Sequence, residues 1–199
     1  MTFSATKFRT PPFPVQPFSV EEYHRLIQAG VLDEEDPIEL LEGWLTRKMV
    51  RNPKHDVTIE LVHDSLRRAL PESWRVRVQS AITTADSEPE PDLSVVEGPI
   101  RKHIESHPGP EEIALVIEAA DSSLDHDRIA KGRVYARARI PHFWIVKLVD
   151  SKIEVYSDPA TEEGEPSYRR CEEYSASDSV PLIIAGKEIA RIPVKDLLA

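Results

Sequence analysis

The stretch Ile113-Ala114-Leu115-Val116-Ile117-Glu118-Ala119-Ala120 is apolar at every position but one. Such a run reads as a strand covered on both sides, the kind that lies at the centre of a layered α/β sheet. Glu118 is the exception. A carboxylate midway along this strand is desolvated by its own neighbours, and burying an unpaired charge costs several kcal/mol or more. Something must compensate. A salt bridge to a nearby arginine would do so, as would a strand end that returns Glu118 to solvent or a cation held together with a second acid.

The second acid lies upstream. Leu93 to Val96 is another short apolar segment, and Asp92 opens it directly after Pro91. Two neighbouring strands can place an Asp and a Glu at one level, and two such oxygen donors, with waters completing an octahedron, suit Mg²⁺. Asp92 alone reads equally well as a turn residue after proline. Downstream, Asp125 to Arg139 reads as a helix bounded by Pro141, with Ile129, Val134 and Tyr135 as packing positions. Within it Asp127 and Lys131 are four apart. In isolation they form an exposed ion pair contributing roughly 0.3–0.5 kcal/mol. If the helix packs beside the Glu118 strand, Lys131 instead points an ammonium at the two acids, where it can stabilise charge on a phosphate.

The rest of the chain builds around these elements. Residues 1–18, with Pro at 11, 12, 14 and 17, read as an extended arm, and 19–199 as a single domain. Ser19 and Glu22 form a capping box, with Val20, Tyr23, Leu26 and Ile27 on one helical face before Gly30. Pro37 to Val50 reads as a hairpin turning at Glu42-Gly43, which puts Glu39 on its first strand. Asn52-Pro53 starts a helix carrying His55 in its first turn and an apolar stripe of Val57, Leu61, Leu66 and Leu70. His55 reads more readily as a surface or capping residue than as part of a site. Trp74 to Val78 alternates as a half-buried strand, and Asp86 to Pro91 is an acidic loop that proline keeps out of ladders. His142 to Val149 and Lys152 to Ser157 form strands around Asp150-Ser151, and further strands run to a short helical tail from Val194. Asp121-Ser122-Ser123 reads as a helix cap, and Trp44 and Trp144 as core residues.

Composition narrows the classes. The 199 residues hold 35 Asp and Glu against 25 Lys and Arg, a net charge of −10, and 40% are hydrophobic. The acidic balance argues against a protein that coats nucleic acid nonspecifically, since phosphate neutralisation by Lys and Arg supplies that affinity. It leaves a nuclease open, because metal-holding carboxylates add negative charge where the cation offsets it. The single cysteine, Cys171, makes no internal disulfide and anchors no zinc finger. With no apolar stretch of membrane-spanning length and no signal-peptide pattern, the expectation is a cytoplasmic protein.

Taken in order, several pieces carry a resemblance. They are Glu39-Leu40-Leu41-Glu42-Gly43-Trp44-Leu45, Asn52-Pro53 with His55, and Ser87-Glu88-Pro89-Glu90-Pro91-Asp92-Leu93. Glu118-Ala119-Ala120-Asp121-Ser122-Ser123-Leu124, Asp127 with Lys131 and Tyr135, and Ile140-Pro141-His142-Phe143-Trp144-Ile145-Val146 complete the set. The chain resembles the Uma-type restriction endonuclease family of the PD-(D/E)XK superfamily over almost its whole length. The resemblance implies an α/β fold of restriction endonuclease-like type, a mixed central sheet flanked by helices with additional β-hairpins. It also implies Mg²⁺- or Mn²⁺-dependent phosphodiester hydrolysis on DNA, with Asp92 and Glu118 as metal ligands, Lys131 as catalytic lysine and Glu39 as a further catalytic acid. Related nucleases pair two sites to cut both strands, which implies a homodimer. One position departs from the superfamily pattern: two residues after Glu118, where a lysine is usual, stands Ala120. Nuclease-fold proteins without activity, serving as nucleic-acid-binding or assembly modules, are the alternative, and RNA is an alternative substrate.

Overall fold

The computed structural model of the chain describes residues 14–33, 36–48, 51–121, 127–161 and 165–199. Most of the expected arm, the Ser122-Ser123 part of the expected cap, the Asp125 start of the third helix and the side chain of Asp127 lie outside the described residues.

In chain order the elements are α1 (Val20–Gln28), β1 (Ile38–Leu41), β2 (Trp44–Arg47), α2 (Pro53–Ala69), β3 (Trp74–Val78), β4 (Leu93–Glu97) and β5 (Ile113–Ala120). A π-helical turn over Asp127–Lys131 then runs into α3 (Gly132–Arg137). The chain continues through β6 (His142–Lys147), β7 (Lys152–Ala160), β8 (Ser167–Ser175), β9 (Ser179–Ile184) and β10 (Lys187–Pro193). Strands β3 to β8 form one six-stranded sheet in sequence order, antiparallel throughout except for β5 with β6. The sheet is thus mixed, and β1–β2 and β9–β10 add two hairpins.

Local chemistry explains the elements. Ser19 and Glu22 close the expected capping box on α1, and the Asn52 side chain accepts from the His55 amide at the start of α2. Glu42 and Gly43 both adopt positive φ, the backbone a two-residue hairpin turn requires.

All eight residues of β5 are buried, because the sheet is covered twice. On one face Leu115, Ile117 and Ala119 pack with Ile59, Val62 and Leu66 of α2, with Trp144, and with Val180, Leu182 and Ile192 of the last hairpin. On the other face Val116 and Ala120 pack with Val134 and Tyr135 of α3, with Phe143 and Ile145, and with Leu41. Strict alternation along β5 sends Glu118 to this second face.

Several expectations change. The inward side of α2 is His55, Thr58, Ile59, Val62, Ser65 and Leu66, whereas Val57 is 48% exposed. The helix turns its polar first-turn residues inward because that end lies beside Asp92. Ile129 is 63% exposed, since it shares the outer side of its helix with Arg133 four residues on. Trp144 is a core residue as expected, but Trp44 is 46% exposed on the outer strand of its hairpin. The tail from Val194 is a short 3₁₀ turn. No helix among the described residues is long and apolar enough to cross a membrane.

Candidate active site

The β4–β5 register sets the two acids at one level. Leu93 pairs with Ile117, so one further step along this antiparallel ladder sets Asp92 opposite Glu118. The Asp92 carboxylate fastens to the neighbouring strand, Oδ2 accepting from the Ala119 amide at 2.9 Å. The same oxygen lies 3.0 Å from Nε2 of His55, at hydrogen-bond distance from the ring N–H. Oδ1 has no hydrogen-bond partner among the described residues.

Burial pushes the Asp92 carboxyl up, but the hydrogen bond and charge of His55, the Ala119 amide and the charge of Lys131 together hold it below its usual value. Asp92 is therefore an ionised oxygen donor at neutral pH. The hydrogen bond to Asp92 raises the His55 imidazole above its ordinary value, against the opposing effect of burial.

Glu118 is compensated from the helix above it. Its Oε1 accepts from Lys131 Nζ at 3.0 Å and from the Tyr135 hydroxyl at 2.6 Å. Lys131 and Tyr135 are one α-helical turn apart, which puts both on the side facing the sheet. Lys131 Nζ also lies 3.9 Å from Oε2 of Glu39, which in turn accepts from the Glu90 amide at 3.0 Å. Glu39, Glu118 and Lys131 are all buried. The four residues singled out in the sequence, Glu39, Asp92, Glu118 and Lys131, are thus brought to one end of the sheet by four different elements.

An ionic cluster clamps these elements together. Glu42, in the hairpin turn, accepts from Arg133 Nε at 2.8 Å, also binds that guanidinium through a second nitrogen, and pairs with Arg137 at 2.6 Å. Arg137 in turn reaches Asp86 at 2.7 Å. The hairpin bearing Glu39, the loop leading to Asp92 and the helix bearing Lys131 therefore share one set of charges.

The sequence marks Tyr135 as a packing position and as part of the pattern with Asp127 and Lys131, but not as a partner of Glu118. Removing only its hydroxyl tests that contact. If Glu118 holds a cation, Tyr135→Phe should keep the fold and weaken Mn²⁺ binding, measured by calorimetry, by about 10- to 100-fold, the range for lost partners of metal ligands. Unchanged Mn²⁺ affinity would mean that the phenol is simply packing in the core.

A hard divalent cation suits these donors in kind, since Mg²⁺ commonly takes one or two carboxylates and keeps several waters. Among the described residues no group of three or more His, Cys, Asp or Glu is arranged to hold a metal ion.

A mixed sheet flanked by helices, with an acid pair and a lysine at one end, defines a restriction endonuclease-like α/β protein. The model of the Uma2 family, described as "putative restriction endonuclease", matches residues 20–189, and the chain belongs to that family. A crystal structure from Anabaena variabilis, described as a "putative nuclease belonging to DUF820", shares the fold with a TM-score of 0.68 at 16% sequence identity. The match covers 91% of this chain and 97% of that one. None of the curated proteins matches the chain.

Proposed function

We propose that the protein is a metal-dependent endonuclease that hydrolyses phosphodiester bonds in DNA, with Mg²⁺ or Mn²⁺ held by Asp92 and Glu118. The observation that carries this reading is the register that sets Asp92 level with Glu118, with the Lys131 ammonium 3.0 Å from the Glu118 carboxylate. When bound, the cation would polarise the scissile phosphate and acidify a water.

The chain's own residues do the positioning. His55 and the Ala119 amide hold one oxygen of Asp92, while Tyr135 and Lys131 hold one oxygen of Glu118. Lys131 presents positive charge where negative charge develops on the phosphoryl oxygens, and a preorganised cation there needs no rearrangement as the reaction proceeds. Glu39 steadies that ammonium from its other side. A homodimer, one site for each strand of a duplex, is the assembly this reading expects.

The alternative of an inactive module rests on the low basic content and on Ala120, which leaves the strand without its usual lysine. In the fold Ala120 packs against α3, and the ammonium reaches Glu118 from the helix. The test is cleavage of supercoiled plasmid and of labelled DNA and RNA oligonucleotides in Mg²⁺, in Mn²⁺ and in chelator. Metal-dependent DNA cleavage is expected. Intact substrates under all conditions would overturn the reading, and cleavage confined to RNA would correct the substrate.

A further inference from the structure

We propose that the side of β3 and β4 facing away from α2 holds a binding site for a small oxyanion of the phosphate class, built by Arg75, Arg77, Ser94 and His103. The site is separate from the acids and lysine described above, and the inference stands whether or not the chain cleaves nucleic acid.

Strand register assembles it. Trp74 and Val76 pack with the cluster under α2, so alternation sends Arg75 and Arg77 to the opposite face. Arg77 pairs with Ser94 across the β3–β4 ladder, which sets their side chains directly opposite one another on that face. A 3₁₀ turn over Ile100–His103 supplies the histidine. Burial and the charges of Arg75, Arg77 and Lys102 hold the His103 imidazole below its ordinary value, against the opposing charge of Glu112. The ring is therefore neutral at neutral pH and has one N–H to donate.

Polar atoms gather here without partners. Among the described residues Arg77 Nε, Ser94 Oγ and His103 Nε2 are buried and make no hydrogen bond. Ser94 is only 1% exposed and the His103 side chain only 3%. Native folds leave few such groups, and each calls for a reason. The positive charges are unanswered too. Each guanidinium is bonded to a backbone carbonyl, Arg75 to Gly98 at 2.5 Å and Arg77 to Ala81 at 3.4 Å, and neither pairs with a carboxylate among the described residues. Glu112 acts on Arg75 from a distance but is bound to Lys102 at 2.8 Å. Burial, and then the charge of Arg75, push the Arg77 guanidinium below its ordinary value. A water molecule would satisfy the hydroxyl and the imidazole; an anion also offsets the repulsion between the arginines. Guanidinium forks match oxyanions bidentately, and serine and histidine donors this deeply buried admit a small ion rather than a nucleic-acid backbone.

The test is calorimetric titration of the full chain with inorganic phosphate, in chelator so that no cation recruits the ligand, and at fixed ionic strength. Phosphate should bind and raise the melting temperature, while chloride at equal ionic strength does neither. Arg77→Gln should weaken phosphate binding by roughly 10- to 100-fold, the range for hydrogen bonds to a charged group, and leave Mn²⁺ affinity unchanged. Ser94→Ala and His103→Gln, which remove no permanent charge, should each weaken phosphate binding as well, and they carry the test if Arg77→Gln does not fold. A wild type that binds no phosphate at millimolar concentration, or unaltered affinity in the folded variants, would overturn the inference. Phosphate binding lost in Lys131→Met but intact in Ser94→Ala and His103→Gln would overturn it in favour of the candidate active site.

Discussion

Asp92→Asn should abolish metal-dependent cleavage while leaving the protein folded. Asparagine keeps the volume and an oxygen that can still accept from the Ala119 amide, so the β4–β5 junction persists. What disappears is the negative charge with which Asp92 would hold a cation. Loss of an outer partner of a metal ligand costs about 10- to 100-fold, and loss of a ligand itself should exceed that. The expected result is a fall in kcat/KM of more than about 10²-fold, matched by loss of Mn²⁺ binding in calorimetry. Cleavage within a few-fold of wild type would show that Asp92 is only a turn residue fastened to its neighbour strand.

Lys131→Met should damage both activity and stability, and the two effects can be separated. Removing the ammonium leaves the Glu39 and Glu118 carboxylates in a buried site without the cation between them. Breaking a buried pair from one side costs about 3–5 kcal/mol, which chemical denaturation would register. Loss of one preorganised charge-stabilising group costs roughly 10²- to 10³-fold in kcat. In the double variant Lys131→Met/Glu118→Gln the stranded charge on Glu118 is gone, and much of the stability should return while cleavage stays absent. If the double variant were as unstable as the single one, uncompensated charge would not be the reason for the lysine.

How far this was legible in the sequence varies by residue. Glu118 announced itself, since a carboxylate inside an apolar run has few explanations. Glu39 and the hairpin followed from Glu42-Gly43, where turn geometry fixes register over a few residues. The convergence was harder to read. Asp92 comes level with Glu118, 26 residues further along the chain, through strand pairing, and Lys131 meets Glu118 through helix packing against the sheet. The inward face of α2 was misread because a polar helix end at a site inverts the usual rule that apolar residues turn inward. His55 looked ordinary as a helix-start histidine, and only its proximity to Asp92 distinguishes it.

The single parallel pair in the sheet has a consequence for how the ammonium is delivered. From the end of β5 the chain must travel back across the sheet before β6 can begin, and the return segment passes over the face that bears Glu118. A lysine on that return path arrives from above the sheet, while the strand position two residues beyond the acid is left to an alanine methyl. The arrangement makes the distance between charges a property of tilt. Phe143 packs edge-on against Tyr135 at 5.2 Å beneath that crossover, so trimming its ring would loosen the turn that carries the lysine without touching either acid.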